Sequence, residues 1–302
     1  MMQRVPTVCL CLIVKNEADK IEKALAHAGV FDQCLVIDTG STDGTQDLAR
    51  AKGAKVEHFE WCDDFAKARN QWEKHTDADW IFWLDADDEI DLDTAVKTVD
   101  WARAQPENVI GGFFRYVYPN DFYVEHIRLY RKGVPWRQRI HEYLDFQGTK
   151  GSIEVTHLTV NHTGYPTNDP VALEKKSQRN MKLLREELKD DPKNALILQY
   201  IATDYMAHGN YKKCIKYMEE ALENSLGRPD YTWLAEAYVM ISRCYVKLGK
   251  RNMARKWMER GVKKFPELMD RSIDRHLAIK RNDGNSNYEY GKRRFQQLQR
   301  LS

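Results

Sequence analysis

Long apolar runs are absent: nothing in the 302 residues approaches the ~18–20 consecutive apolar positions a membrane-spanning helix needs. The opening MMQRVPTVCLCLIVKNE carries only a short apolar stretch that runs straight into charge without a small-residue cleavage site. It reads as a buried strand rather than a signal peptide, and an intracellular, cytoplasmic protein is expected. Cysteine is sparse and lacks metal-binding spacing. Cys9, Cys11, Cys34, Cys62, Cys214 and Cys244 form no CxxC pair or zinc-type Cys/His cluster, so they read as small buried side chains in a reducing compartment. An excess of one charge is missing too: 47 basic against 45 acidic residues give +2, which names no partner by itself.

What remains, 42% hydrophobic and 30% charged residues, describes a globular chain long enough for two domains. Its charge is unevenly spread. Acidic residues gather at Asp85, Asp87, Asp88, Glu89, Asp91 and Asp93, a setting suited to a divalent cation. Basic residues gather in 128–139 and 280–300, suited to an anionic acceptor or simply to solvated faces.

The first 90 residues repeat one theme, an apolar strand, a loop and an amphipathic helix. Strands are expected at Thr7–Val14, Cys34–Ile37, Lys55–Phe59 and Trp80–Leu84, their ends about 22–25 residues apart, the spacing of βαβ units. Ile21, Leu25 and Ala28 share one helical face; a second helix starts near Thr45, with Ser41, Thr42 or Asp43 as cap; a third runs from Phe65 to His75. This predicts a doubly wound α/β sheet with ligands at the carboxyl ends of its strands. Residues 108–165, short, β-branched and aromatic, extend the sheet in mixed or antiparallel fashion.

After Pro170 the strands stop. A long helix is expected over 171–190, followed by two helix-turn-helix repeats whose turn glycines, Gly209 and Gly249, stand 40 residues apart, with an insertion at Leu226–Asp230. The domains are therefore drawn at 1–168 and 169–302, the second an all-α repeat domain with a polar tail from Lys280.

The strongest chemical signal is Leu84-Asp85-Ala86-Asp87-Asp88-Glu89 after the apolar WIFWL. Carboxylates at the exposed end of a buried strand can hold a hard cation, which neutralises charge on a leaving diphosphate; a helix-start acidic cluster is the plainer reading. A second signal is Asp38 closing a strand ahead of Thr39-Gly40-Ser41-Thr42-Asp43-Gly44-Thr45, able to accept from a base or ribose. Together the strand ends are expected to gather Asp38, Asp85 and Asp87 around one cation and its diphosphate.

These residues, with Ile13-Val14-Lys15-Asn16-Glu17 and Trp61–Asn70 (WCDDFAKARN), make the chain resemble the family 2 glycosyltransferases of GT-A (Rossmann-like) fold over roughly residues 5–165. A subgroup similar to it bears C-terminal tetratricopeptide-like repeats. The resemblance implies a nucleoside-diphosphate sugar (UDP among the candidates) as donor and Mn²⁺ or Mg²⁺ as cofactor. It implies that Glu17 and Asp38 contact the nucleoside, Asp85 the ribose or base, Asp87 the metal, and that Arg69 lies near the diphosphate. One departure is Asp88 standing before Glu89, where the family often has Glu directly after the DxD.

Two more segments look like the same subgroup, Ile140-His141-Glu142 and His162-Thr163-Gly164-Tyr165. An inverting transfer needs a base on the acceptor side of the sugar, and Glu142 is the expected one; its plainer reading is an ion pair with Arg137 or Arg139. His162 is expected to ligate the metal or donate to the diphosphate, against a plain core role. Phe113, Phe114, Tyr116, Tyr118, Phe122 and Tyr123 line an acceptor groove or fill core.

The reaction expected is inverting sugar transfer to a peptide, a glycan, a lipid-linked sugar or modified DNA, with the repeats free to hold a protein partner. The competing class is a nucleotide-binding repeat scaffold without turnover. A sugar nucleotidyltransferase is disfavoured because the Gly-rich, Arg/Lys-bearing entry loop such enzymes use near the N-terminus is missing.

Overall fold

The computed structural model describes residues 4–119, 122–164, 170–225 and 233–266, and the chain divides into two compact units. The first begins with β1 (Val8–Val14), a short helix α1 (Ile21–Ala24), β2 (Gln33–Asp38), α2 (Thr45–Ala51) and β3 (Lys55–His58). Then come α3 (Phe65–Arg69), α4 (Trp72–His75), β4 (Trp80–Trp83), the two-residue β5 (Asp88–Glu89) and α5 (Leu92–Ala104). It closes with β6 (Val109–Val117), β7 (Tyr123–Arg131), the small hairpin β8 (Trp136–Arg137) and β9 (Tyr143–Leu144), and the long β10 (Ser152–His162).

The main sheet runs β3-β2-β1-β4-β7-β6-β10-β5. β3, β2, β1 and β4 are parallel neighbours, and both faces of β1 and β4 are covered, which is why VCLCLIV and WIFW read as continuous apolar runs. The alternation of a strand splits those residues between two cores. Leu10, Leu12, Val36, Phe82 and Leu84 face Ile21, Leu25, Ala49, Ala95 and Val99, while Cys9, Cys11, Leu35, Ile37, Ile81 and Trp83 face Ala66, Trp72 and Tyr130. At about 1.5–3 kcal/mol per fully buried large side chain, this double layer fixes β1 as the centre of the unit.

Beyond β4 the sheet turns mixed, as the 108–165 composition implies. β7 is antiparallel to β4 and β6, β10 parallel to β6, and β5 antiparallel to β10. Between Val155 and Thr159 the β10 register slips by two residues relative to β6, and His157 there has φ 59°. A two-residue slip keeps every side chain on its own face, and it brings His162 opposite Asp88.

Local differences from expectation have identifiable causes. The single helix expected over Phe65–His75 is two, because Asn70 turns its side chain to the β8 backbone, donating to the Trp136 carbonyl at 3.0 Å and accepting from the Trp136 amide at 2.9 Å. The Ile21 helix ends after one turn and a 3₁₀ turn carries Ala28, although all three expected face residues are buried. Gly44, with φ 92°, is the N-cap of α2, and Asp43 bonds to the Thr45 amide from just outside it. The acidic run does not start a helix; that part falls to Asp91, which accepts from the Thr94 amide at the head of α5.

The second unit contains α6 (Pro170–Asp190), α7 (Ala195–Ala207), α8 (Tyr211–Asn224), α9 (Trp233–Lys247) and α10 (Arg251–Lys264). The same turn occurs twice: Gly209 donates to Met206 and Asn210 to Tyr205, and 40 residues on Gly249 donates to Val246 and Lys250 to Tyr245, each glycine in the left-handed region. Cys214 and Ala254, five residues after those glycines, are both buried, and the Cys214 and Cys244 sulfurs pack at 3.4 Å. No helix among the described residues is long and apolar enough to cross a membrane. The expected insertion at Leu226–Asp230, Tyr165 and the tail from Lys280 lie outside the described residues.

Gly112 in β6 is a point where the mixed half of the sheet is tightly packed, since a Cβ there would lie 2.8 Å from Thr156 Cγ2 and 3.2 Å from two Trp101 ring carbons. Gly112→Ala is expected to cost about 1–3 kcal/mol in urea unfolding, whereas Gly29→Ala, with open space at its Cβ, stays within about 0.5 kcal/mol of the parent. Equal stabilities would show that this contact does not constrain the sheet.

Candidate active site

At the carboxyl ends of β1 and β2 two loops are stitched together. Asn16 takes a left-handed conformation (φ 56°), its side chain accepts from the Thr42 amide at 2.8 Å, and its amide donates to Ser41 Oγ at 2.9 Å. The Glu17 amide donates to Thr45 Oγ1 and the Ala18 amide to Asp43. Asp38 is fully buried beneath this seam, accepting from the Gly40 and Ser41 amides and from the Gln46 side chain. Burial pushes its carboxyl up, but the bonds from Ser41, Gln46 and Gly40 outweigh it and hold the group below the usual carboxylate range.

The acidic run follows β4. Asp85 lies against Arg69 (2.9 Å) and Arg128 (3.7 Å), and Asp88 against Arg128 (2.9 Å). Both guanidinium groups lie over the Trp83 ring, Arg69 at 4.3 Å and Arg128 at 3.8 Å from its centroid, and Tyr116 adds a further ring against Arg128 at 4.1 Å. Arg69 and Arg128 are 5% and 2% exposed, so two buried cations are neutralised by three carboxylates, Asp85, Asp88 and Glu142, and cushioned by indole, the condition under which buried charge is tolerated. Burial raises the Asp85 carboxyl, yet Arg69 and then Arg128 bring it below its ordinary value.

Asp87 stands instead against His162, its Oδ1 3.7 Å from Nδ1. Among the described residues, Asp87, Asp88 and His162 form a group whose ligand atoms all lie within 4.8 Å of one another. His162 Nδ1 lies 3.0 Å from Asp88 Oδ1 and 2.7 Å from the Tyr116 hydroxyl. Gly164 completes the setting: a Cβ there would sit 2.3 Å from Asp87 Oδ2 and 2.7 Å from His162 Nε2. A methyl group there would collide with a carboxylate oxygen and with the Cε1–Nε2 edge of the imidazole, so Asp87 Oδ2 and His162 Nε2 converge beside a backbone that carries no side chain, a donor set that suits a divalent cation. Burial pushes Asp87 up, with the Asp88 and Asp85 charges adding to it against the pull of His162; burial and the Asp87 charge likewise raise Glu17, against Lys20.

Glu142, 14% exposed at its side chain, accepts from Arg69 Nε at 2.8 Å. Arg137 pairs with Asp145 and Arg139 with Asp64, so the surface pairing available to Glu142 in sequence is not the one formed. Arg69 Nη1 is buried without a hydrogen-bond partner. His141, immediately before Glu142, and Gln138 hold left-handed backbone (φ 55° and 76°) in the β8–β9 connection.

The expected site residues therefore fall into three adjoining groups: Glu17 with the Asp38 loop, Arg69 with Asp85 and Glu142, and Asp87 with His162. The carboxylate trio expected around a cation is not the one assembled. Asp38 is turned into its own loop and Asp85 toward two arginines, and Asp87 is joined by Asp88 and His162 instead. Arg128 escaped the sequence reading, although a basic residue on a buried position of IRLYR was the available sign; Tyr116 was seen only as a groove or core aromatic.

The model of Glycosyl transferase family 2 matches residues 9–162, a span that takes in all three groups. The chain belongs to that family. Residues 194–267 match a tetratricopeptide repeat model. Among curated relatives, this family 2 chain is 29% identical to a TPR repeat-containing protein of Synechococcus elongatus over 74% of its own length and 58% of the relative's. It is 25% identical to the SPbeta prophage-derived glycosyltransferase SunS of Bacillus subtilis over 82% of its length and 60% of the relative's. The chain thus spans about three-fifths of the length of these two relatives. Among solved structures, glucosyl-3-phosphoglycerate synthase of Mycobacterium tuberculosis, in complex with Mn²⁺, UDP and glucosyl-3-phosphoglycerate, is similar at 21% identity and TM-score 0.33, covering 37% of this chain and 44% of that one.

Because the folded-state Asp38 carboxyl is depressed, the unfolded chain binds more protons in acid, so stability rises with pH and is lost as pH falls through the folded value. Unfolding free energy is expected to drop between about pH 5 and about pH 3, and to drop less steeply in Asp38→Asn. Denaturant titrations across that window check it; equal slopes would remove Asp38 from the account.

Proposed function

We propose that this family 2 chain is a metal-dependent inverting glycosyltransferase, moving a sugar from a nucleoside-diphosphate donor to a hydroxyl or thiol of an acceptor. The observation that carries the reading is the convergence of Asp87 Oδ2 and His162 Nε2 beside Gly164, within the Asp87–Asp88–His162 group. Asp87 and His162 would hold the cation, Mn²⁺ or Mg²⁺, which would supply positive charge to the leaving diphosphate.

The chain's own residues divide the remaining work. The seam between residues 16–18 and 38–45 forms the nucleoside wall, with Glu17 facing the donor and Asp38 fixing the shape of the loop. Asp85, kept ionised by Arg69 and Arg128, accepts from the ribose or base. Arg69 Nη1, buried like Arg128 Nε without a hydrogen-bond partner, is the group assigned to a donor oxygen. Glu142 stands on the hairpin as general base, its orientation fixed by Arg69. The acceptor oxygen or sulfur bonds to the anomeric carbon from the face opposite the diphosphate, the bond from that carbon to the diphosphate oxygen breaks, and the acceptor proton passes to Glu142.

In this reading residues 1–168 bind donor and catalyse, while residues 169–302 capture the acceptor or a protein partner. The acceptor classes are peptide, glycan, lipid-linked sugar and modified DNA; binding that weakens steeply with salt singles out DNA. The cytoplasm is the compartment assigned, where the Cys9–Cys11 and Cys214–Cys244 thiol pairs, each 3.4 Å apart, stay reduced.

Two measurements test the reading. Incubating the chain with a panel of UDP- and GDP-sugars and cell extract, read by mass spectrometry, is expected to give a sugar adduct or donor hydrolysis that chelation abolishes and Mn²⁺ restores, and that Asp87→Ala lacks. Turnover that survives both chelation and Asp87→Ala contradicts the metal assignment. Glu142→Gln keeps an acceptor for Arg69 Nε, so donor binding is expected to hold while kcat falls about 10²–10⁴-fold. An unchanged kcat removes Glu142 as base.

A further inference from the structure

Asp88 is the third member of the group that could hold a metal, yet its carboxylate has no lone pair left for one. Oδ2 accepts from Arg128 Nη1 at 2.9 Å and from the Asp85 amide at 2.9 Å. Oδ1 lies 2.7 Å from the Tyr116 hydroxyl and 3.0 Å from His162 Nδ1. A carboxylate offers about four acceptor sites, and all four directions are taken by protein. Asp88 is fully buried, as is all but 2% of Arg128, so the contacts from Arg128 and Tyr116 are removed from solvent.

Three of those atoms, Tyr116 Oη, Asp88 Oδ1 and His162 Nδ1, lie within 3.0 Å of one another. The single proton of Tyr116 can go to the carboxylate or to the imidazole. A charged oxygen is the stronger acceptor, so Tyr116 and His162 Nδ1 both donate to Asp88. In a neutral ring with its proton on Nδ1, the lone pair is on Nε2, the nitrogen that converges with Asp87 Oδ2 beside Gly164. Contacts from Tyr116 and Tyr118, with ring centroids 5.4 and 5.6 Å away, hold the plane of the imidazole.

We infer that Asp88 is a positioning residue rather than a ligand: braced by Arg128 and the Asp85 amide, it sets the His162 tautomer that turns the Nε2 lone pair toward the cation space. This rests on the cation reading proposed above. The substitution Asp88→Asn makes the inference sharp. The two donors at the Oδ2 position require an oxygen there, so the carboxamide oxygen of the variant takes that place and its NH₂ faces His162 Nδ1. The amide then donates to Nδ1, which drives the ring proton to Nε2 and points an N–H into the space meant for the metal. Asp88→Asn therefore mis-protonates a ligand it does not replace.

The test reads the tautomer without metal. Long-range ¹H–¹⁵N correlation of the His162 imidazole in metal-free protein, at a pH where the ring is neutral, is expected to show Nδ1–H in the parent and Nε2–H in Asp88→Asn. Mn²⁺ affinity by electron paramagnetic resonance is expected to fall about 10–100-fold in Asp88→Asn. If Asp88 is itself a ligand, Asp88→Asn weakens Mn²⁺ binding with the metal-free tautomer unchanged, and the inference is overturned. A parent ring protonated on Nε2 overturns it with no variant at all, which keeps the test decisive if Asp88→Asn does not fold. Failure of the underlying reading looks different: Nδ1–H in the parent, but Mn²⁺ affinity the same in His162→Ala.

Discussion

Two guanidinium groups buried over the one indole of Trp83 are the constraint on which the rest of this site depends. Neither Arg69 nor Arg128 can stay there without a counter-charge, and the acidic run at the end of β4 supplies it, with Asp85 between the two arginines and Asp88 beneath one of them. With those two carboxylates committed to arginines, Asp87 lies against His162 instead, its Oδ1 3.7 Å from Nδ1. The Asp87 backbone is held from the other side, its carbonyl accepting from the Thr163 amide at 2.7 Å and the Thr163 hydroxyl at 3.0 Å. The acidic run is thus divided: Asp85 and Asp88 are paired with the two arginines, while Asp87 stands against His162.

The same network couples regions distant in sequence. Arg69 comes from α3, Arg128 and Tyr116 from antiparallel neighbours β7 and β6, His162 from the end of β10, and Glu142 from the hairpin. Each is tied to the acidic run directly or through one guanidinium. Because the ties are charge-assisted and largely removed from water, moving one partner strands another. A donor oxygen meeting Arg69 Nη1 would therefore bear at once on Asp85 and on Glu142, the two carboxylates that share this arginine.

Much of this arrangement was readable from the sequence because it follows from simple periodicities. The parallel strands announce themselves by being apolar throughout, and Asp38 and Asp85 by standing where those strands end. The twin glycine turns of the repeat unit are visible because a left-handed turn residue 40 positions from its counterpart has few other causes. What the sequence concealed depends on register. Arg128 reaches Asp85 and Asp88 only because β7 pairs with β4 at Leu129 and Ile127 pairs with Phe113 of β6, and His162 meets Asp88 only after the two-residue slip in β10. Asn70 splits a helix that its neighbours favour because its partner, the Trp136 backbone, lies 66 residues away. The pairing of Glu142 with Arg69, rather than with the neighbouring Arg137 or Arg139, was hidden because an ion pair across 73 residues leaves no local trace.

The central claim is that this charge cluster turns Asp87 and His162 Nε2 toward one cation. The most direct measurement is anomalous diffraction from crystals of the chain grown with Mn²⁺ and UDP. The account requires a manganese peak bordered by Asp87 and His162 Nε2, next to Gly164, with the diphosphate against it and Asp88 still bound to Arg128. A peak ligated instead by Asp38 or Asp85, or by Asp88 after it has left Arg128, would contradict it.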